Sequence, residues 1–279
     1  MQPALLKHYI PSKNLQEYIR EYQVFRFLFD KSISPPIKFH APRPEHCITF
    51  YIRDAQKFSY LNSPIIYTYP ACVINGFYTL PINRYGGNDF WAIKVVLQPS
   101  TLFHLINVPL QEMTNNYINA EDVWGNKIRF VCEQLSTLNN IDEMLCVIET
   151  FLNQVLRNKI KVNHPIDKVS NYLLNIENGA SLDWLASQSC LSTRQFIRKF
   201  EERTGISAKT FQRIIRFDKA FRMKNNHPQL DWYSIAMRCD YYDYQHLVKD
   251  FKEFTHLKPP AFYELEKTSP ERSFGLVEA

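Results

Sequence analysis

Two stretches in the second half of the chain repeat one another at a spacing of about 50 residues, and this repeat constrains the fold more than any other feature. Ser181 aligns with Asp231, Leu182 with Trp232, Leu185 with Ile235 and Ala186 with Ala236. One extra residue then enters the second copy, after which Ser192 aligns with Asp243, Phe196 with Leu247, Arg198 with Lys249 and Phe200 with Phe251. Ser or Asp at the head of each run predicts a helix start, because its side-chain oxygen accepts from one of the first free amides. Ser207 gives the same signal between the copies, and Ser192 with Gln195 has the spacing of a capping box. Each copy therefore reads as a short helix, a turn and a longer helix. The alanines are small where helices cross, and Phe196/Phe200 and Leu247/Phe251 form pairs on one helix face. The pattern is a helix-turn-helix in duplicate, spanning 181–204 and 231–254.

The faces opposite those pairs carry the chemistry. On the first longer helix they offer Arg194, Ile197 and Arg198, and on the second Tyr244, Gln245, Val248 and Lys249. Arg and Gln can contact guanine and adenine edges in bidentate fashion, while Ile or Val can meet a thymine methyl. The N-terminal half of the second helix is where such a motif touches bases. Arg194, Ile197, Arg198, Tyr244, Gln245 and Lys249 are the candidate base contacts. Lys199, Arg203, Arg213 and Arg216 are the candidate phosphate contacts. From Ser192 to Lys224 ten basic residues face three acidic ones, a net +7 that exceeds the +5 of the whole chain. Such a field attracts phosphate irrespective of sequence. Between the units, 207–224 has apolar residues at Phe211, Ile214, Ile215, Ala220 and Met223 and lacks Pro and Gly. It predicts one helix of roughly 27 Å, a strut able to hold two reading helices for successive major grooves about 34 Å apart.

The first half has a different grammar. At 279 residues and 45% hydrophobic the chain is long enough for two domains, and 14% aromatic content excludes a disordered chain. Short runs rich in Ile, Val, Thr, Tyr and Phe predict strands at Cys47 to Ile52, Ile65 to Tyr69, Cys72 to Ile74, Phe77 to Ile82 and Phe90 to Leu97. Gly86-Gly87-Asn88-Asp89 between the last two predicts a hairpin turn with positive φ. From Pro99 the spacing becomes helical, at Leu102, Leu105 and Ile106, then Ile128, Val131, Cys132 and Leu135, then Met144, Leu145, Ile148, Leu152 and Val155. The polar, basic stretch from Arg157 to Pro165 marks the expected domain boundary.

The resulting fold class is α+β with two domains: a β-rich, cupin-like or related N-terminal domain with trailing helices over 1–160, and an all-α domain over 166–267. The six cysteines are far apart, without C-x-x-C, and read as reduced core thiols. Neither a secretion signal nor a membrane span is indicated, so a cytoplasmic location is expected. His40, Glu45 and His46 come nearest to a metal site but lack an H-x-H pattern, and no phosphate loop or G-x-S-x-G is present. Neither a cofactor nor a metal is expected, and neither is catalysis.

S-L-D-W-L-A-S-Q-S-C-L-S-T-R-Q-F-I-R-K-F (Ser181 to Phe200), R-F-D-K-A (Arg216 to Ala220) and I-A-M-R-C-D-Y-Y-D-Y-Q-H-L-V-K-D-F-K-E-F-T-H-L-K-P-P-A-F (Ile235 to Phe262) resemble the AraC/XylS-type transcriptional regulators. The resemblance covers Ile166 to Lys267. It implies a seven-helix DNA-binding domain with a terminal helix beginning near Pro260. Asp240 stands where the family usually has glycine in the second turn; a left-handed aspartate there costs under about 1 to 2 kcal/mol. The first 155 residues are similar, through L-Q-E-Y-I-R-E-Y (Leu15 to Tyr22), G-F-Y-T-L-P (Gly76 to Pro81) and V-V-L-Q-P-S-T-L-F-H-L (Val95 to Leu105), to N-terminal domains of Bacteroidetes-like members. In the wider family such domains bind an effector or dimerise.

The expected function is therefore sequence-specific transcriptional regulation. Double-stranded DNA is the partner, and a small-molecule effector, a second copy of the chain and RNA polymerase are further candidates. The alternative is a small-molecule-binding or cupin-like enzyme carrying an accessory DNA-binding domain.

Overall fold

The computed structural model describes residues 4–157, 164–176 and 179–278. The expected boundary between Arg157 and Pro165 falls largely on 158–163, outside the described residues. Among the described residues ten strands come first: β1 (Leu5–Tyr9), β2 (Ile19–Leu28), β3 (Lys38–His40), β4 (Cys47–Tyr51), β5 (Lys57–Tyr60), β6 (Tyr67–Thr68), β7 (Cys72–Asn75), β8 (Ile82–Tyr85), β9 (Asp89–Leu97) and, after a helical stretch, β10 (Tyr117–Asn119). They form two antiparallel sheets, ordered β1-β2-β9-β4-β7-β10 and β3-β8-β5-β6.

The larger sheet is covered on both faces, which is why its strands read as continuous apolar runs. In β9, Trp91, Ile93, Val95 and Leu97 face one core while Phe90 and Ala92 face another, between the sheets, with Phe27, Tyr51, Phe58 and Tyr69. Lys94 lies on the Phe90 side, buried, with its ammonium on the buried carboxylate of Glu45. The outer core is closed by α1 (Thr101–Ile106), α2 (Ala120–Trp124), α3 (Asn126–Thr137) and α4 (Ile141–Arg157), whose Leu102, Leu105, Ile128, Leu135, Met144 and Ile148 are the residues with helical spacing.

Several strand expectations need correction. Phe77 to Ile82 is not a strand, and Ile65 to Tyr69 contracts to Tyr67–Thr68. Gly86 to Asp89 is not a hairpin: β8 pairs with β3 and β5, whereas β9 pairs with β2 and β4, so the turn carries the chain from one sheet to the other. Neither glycine has positive φ. Gly87 is needed for space instead, since a Cβ there would meet the Asp54 carboxylate at 2.3 Å. The longest strand, β2, went unread because its Glu, Arg and Gln dilute the apolar alternation.

The helical region comprises α5 (Pro165–Asn175), α6 (Leu182–Gln188), α7 (Thr193–Thr204), α8 (Ala208–Asn226), α9 (Trp232–Arg238), α10 (Tyr244–Thr255) and α11 (Pro259–Glu266). All five expected caps form: Ser181, Ser192, Ser207, Asp231 and Asp243 each accept from the backbone three residues on, and Ser192 with Gln195 completes a capping box. The strut helix α8 runs 19 residues, close to the expected 207–224.

Its core is not self-contained: Phe39, Ala41 and Phe77 from the β-rich region join Phe196, Phe200, Phe211 and Phe217 in one apolar cluster. Of the cysteines, Cys47, Cys72 and Cys239 are buried, but Cys146 and Cys190 are exposed, so the core-thiol expectation fails for those two. Cys146 lies on the outer face of α4, and Cys190 occupies the left-handed residue of a turn. Among the described residues no helix is long and apolar enough to cross a membrane.

Candidate nucleic-acid interface

The two helix-turn-helix units match atom for atom at their turns. In the first, Leu191 N donates to Ala186 O at 3.0 Å, and in the second Tyr241 N donates to Ala236 O at 3.1 Å. Both need a left-handed residue just before that donor, and it is Cys190 (φ 54°) in one and Asp240 (φ 59°) in the other. The aspartate is thus no isolated departure, because the first turn places a cysteine in the same strained region.

Each longer helix buries one face and presents the other. On α7, Phe196 and Phe200 are fully buried while Arg194, Ile197 and Arg198 are exposed, Ile197 at 37%. On α10, Leu247 and Phe251 are buried while Gln245 and Lys249 are exposed. Tyr244 is only partly buried and leans against the helical core. The structure adds Tyr242, 89% exposed immediately before the cap of α10. Its signal in the sequence was the extra residue of the second repeat, which sets an unsupported aromatic at the head of a reading helix.

The phosphate candidates fare differently. Lys199 is partly exposed and reaches Glu202 at 3.0 Å. Arg203 must be corrected: it is 7% exposed, donates through Nε and Nη2 to the two Asp167 carboxylate oxygens at 2.9 Å each, and lies over the Phe103 ring. Burial would raise the Asp167 pKa, but hydrogen bonds from His104 and Arg203 outweigh it and hold the group well below the usual carboxylate range. Arg203 ties α7 to α5 and α1 and is spent on that tie rather than on a phosphate. Arg213 and Arg216 are also paired within the protein, but they remain partly exposed. Both are committed to the buried Asp250 of α10, at 2.8 and 3.1 Å, and Arg213 also to Glu253. Arg216 lies 4.3 Å over the Tyr241 ring. They brace the second reading helix against the strut. An open cleft of about 480 Å³ lies between α5, α8 and α10, lined by Lys209, Lys219 and Lys249 beside those arginines and by the acids Asp240, Asp250 and Glu253.

His40, Glu45 and His46 form no metal site in this arrangement. Glu45 is taken by Lys94, and His46 is wholly buried, with its ring 4.3 Å from Phe77. Burial lowers the His46 pKa to about 4, and neither ring nitrogen has a hydrogen-bond partner. Where the β-rich region meets α7, Thr114 Oγ1 donates to Gly205 O at 2.7 Å. Gly205 has φ 86°, and a Cβ on it would come within 2.7 Å of Leu110 O, so the approach needs glycine twice over.

Residues 185–264 match the family model described as a helix-turn-helix domain. The C-terminal region therefore contains a helix-turn-helix domain. No curated protein matches the chain in sequence. Among solved structures, ToxT from Vibrio cholerae is similar at 14% identity and a TM-score of 0.47, covering 88% of this chain and 97% of that one. ToxT with a bound unsaturated fatty acid is similar at 12% identity and a TM-score of 0.44, covering 100% of both chains. The DNA-binding domain of AdpA in complex with a target DNA is similar at 21% identity and a TM-score of 0.35, covering 38% of this chain and 95% of that one.

Proposed function

We propose that the chain binds a specific DNA operator by placing α7 and α10 in adjacent major grooves, and that the β-rich region over 1–160 controls this binding. One observation carries the reading. The second helix of both units buries its aromatic or aliphatic pair and turns base-reading chemistry to the other face: Arg194, Ile197 and Arg198 on α7, Gln245 and Lys249 on α10. Tyr244 reads from the edge of that face. Lys209 and Lys249 of the cleft, with the partly exposed Lys199, supply phosphate attraction beside the paired arginines.

Control belongs to the β-rich region because it touches the DNA-binding domain at Asp167, Gly205 and Asp218 through His104, Thr114 and Arg43. An effector or a second copy acting on that region can therefore bias the reading helices. Selection of bound sequences from a random DNA pool, with and without a metabolite extract, tests the proposal. Arg198→Ala should weaken binding to the selected site by about 1 to 3 kcal/mol and relax its preference at one base pair, whereas Lys199→Ala should weaken all sequences alike. Equal losses on specific and unrelated DNA would refute the reader assignment.

A further inference from the structure

The residues after α11 do not trail into solvent. A short 3-10 turn, Pro270–Phe274, leads into a segment that crosses back to the β-rich region, where Glu271 and Glu278 are 5% and 7% exposed. Lys38 of β3 receives three carboxylates there, Glu266 at 2.9 Å, Glu271 at 2.5 Å and Glu278 at 3.3 Å. Arg43 receives Glu278 as well, at 2.8 Å. Phe274 stacks on Phe27 with ring centroids 5.6 Å apart, and tilts against Phe29 at 4.9 Å. The same segment also grips the strut: Arg272 Nη2 donates to Asn225 Oδ1 at 2.8 Å, and Asn225 Nδ2 donates to Glu278 O at 3.0 Å.

We propose that residues 269–278 are a tethered ligand of the β-rich region, an acidic and aromatic strap that occupies a cationic, phenylalanine-lined mouth and thereby holds the strut α8 in a state of low operator affinity. This rests on the reading of the chain as a DNA-binding regulator. The site has the two halves of a binding site, paired cations (Lys38, Arg43) and an apolar wall (Phe27, Phe29), and the chain supplies both complements itself. With the strap seated, the cavity behind it is about 80 Å³, far below the roughly 300 Å³ of ordinary small-molecule sites. The strap thus stands where any larger occupant would have to enter.

Its effect on DNA follows from the strut. Arg43 faces Asp218 at 3.6 Å, so β-rich region, strap and α8 form one connected set of charges along the helix that sets the spacing of the reading units. Those units can adapt to a duplex only as far as α8 is free to tilt. A strap that binds one state of α8 and not the other shifts the equilibrium by its differential affinity.

The test uses the full chain with Phe274→Ala, which removes the aromatic anchor, and separately Arg272→Ala, which leaves the strap seated but cuts its side-chain tie to Asn225. Operator affinity is measured beside hydrogen exchange at β3 and at the end of α8. Both variants should bind the selected operator on the order of tenfold more tightly, within the usual range of coupling between sites. Exchange should rise at β3 only in Phe274→Ala and at the end of α8 in both. Unchanged or weaker operator binding while exchange shows the strap or its tie released overturns the proposal, and Arg272→Ala alone decides should Phe274→Ala not fold. A parent chain that selects no operator fails the DNA-binding reading itself, a result distinct from a parent that binds and variants that match it.

Discussion

Thr204 and Thr255, one repeat apart, hold the same place in their units: Thr204 Oγ1 lies 2.8 Å from Phe200 O and 3.0 Å from Ile206 O, and Thr255 Oγ1 lies 2.6 Å from Phe251 O and 3.3 Å from Leu257 O. Each hydroxyl is buried and satisfies carbonyls at the end of a reading helix. Thr204→Val and Thr255→Val should each lower stability by about 1 kcal/mol, the net worth of one hydrogen bond, and by similar amounts. Urea denaturation of the two variants measures it.

The left-handed turn residues give a second comparison. Cys190→Gly should stabilise the protein by about 1 kcal/mol, because cysteine has no special tolerance of positive φ. Asp240→Gly should gain less, since aspartate tolerates the conformation better and Asp240 also faces Lys219 at 3.5 Å. Equal gains from both would mean that side-chain chemistry at the turn has no weight.

Arg203 and Arg198 should separate stability from recognition. Arg203→Ala leaves Asp167 without its bidentate partner and should destabilise the fold by about 3 kcal/mol, on the scale of a broken buried ion pair. Because the Asp167 pKa is lowered in the folded state, its contribution is present above the unfolded value near 4 and is lost as pH falls toward the folded one. The gap between parent and variant should therefore narrow below about pH 4. Arg198→Ala should leave the urea midpoint in place.

His46 predicts a different pH window. Its folded pKa of about 4 lies below the unfolded value near 6.5, so it adds no pH dependence to stability above about pH 6.5. Between about 6.5 and 4 the unfolded chain takes up a proton that the folded one refuses, and stability falls. In His46→Gln the urea midpoint should be flatter across that interval.

The helical half was legible because its signals are local: caps one turn ahead of apolar runs, and the repeated i, i+4 pairs Phe196/Phe200 and Leu247/Phe251. What hid was long-range. Nothing near Arg203 announces that Asp167 will claim it, or that Asp250 will claim Arg213 and Arg216, so a basic run read as a free field turned out to be partly spent on internal acids. The crossover at Gly86-Gly87 mimicked a hairpin because glycine serves close approach as readily as positive φ. The strap was silent for the same reason: Glu271 and Glu278 mean little until Lys38 and Arg43 arrive from far along the chain.

The central claim is that one chain reads two successive major grooves with α7 and α10. Chemical protection of the guanine and thymine edges on a selected operator, at one chain per site, tests it most directly. Two protected major-groove patches on one face, about one helical turn apart, are expected, with Arg194→Ala/Arg198→Ala erasing one and Gln245→Ala/Lys249→Ala erasing the other. A single patch, or two patches that vanish together with either variant pair, would contradict it.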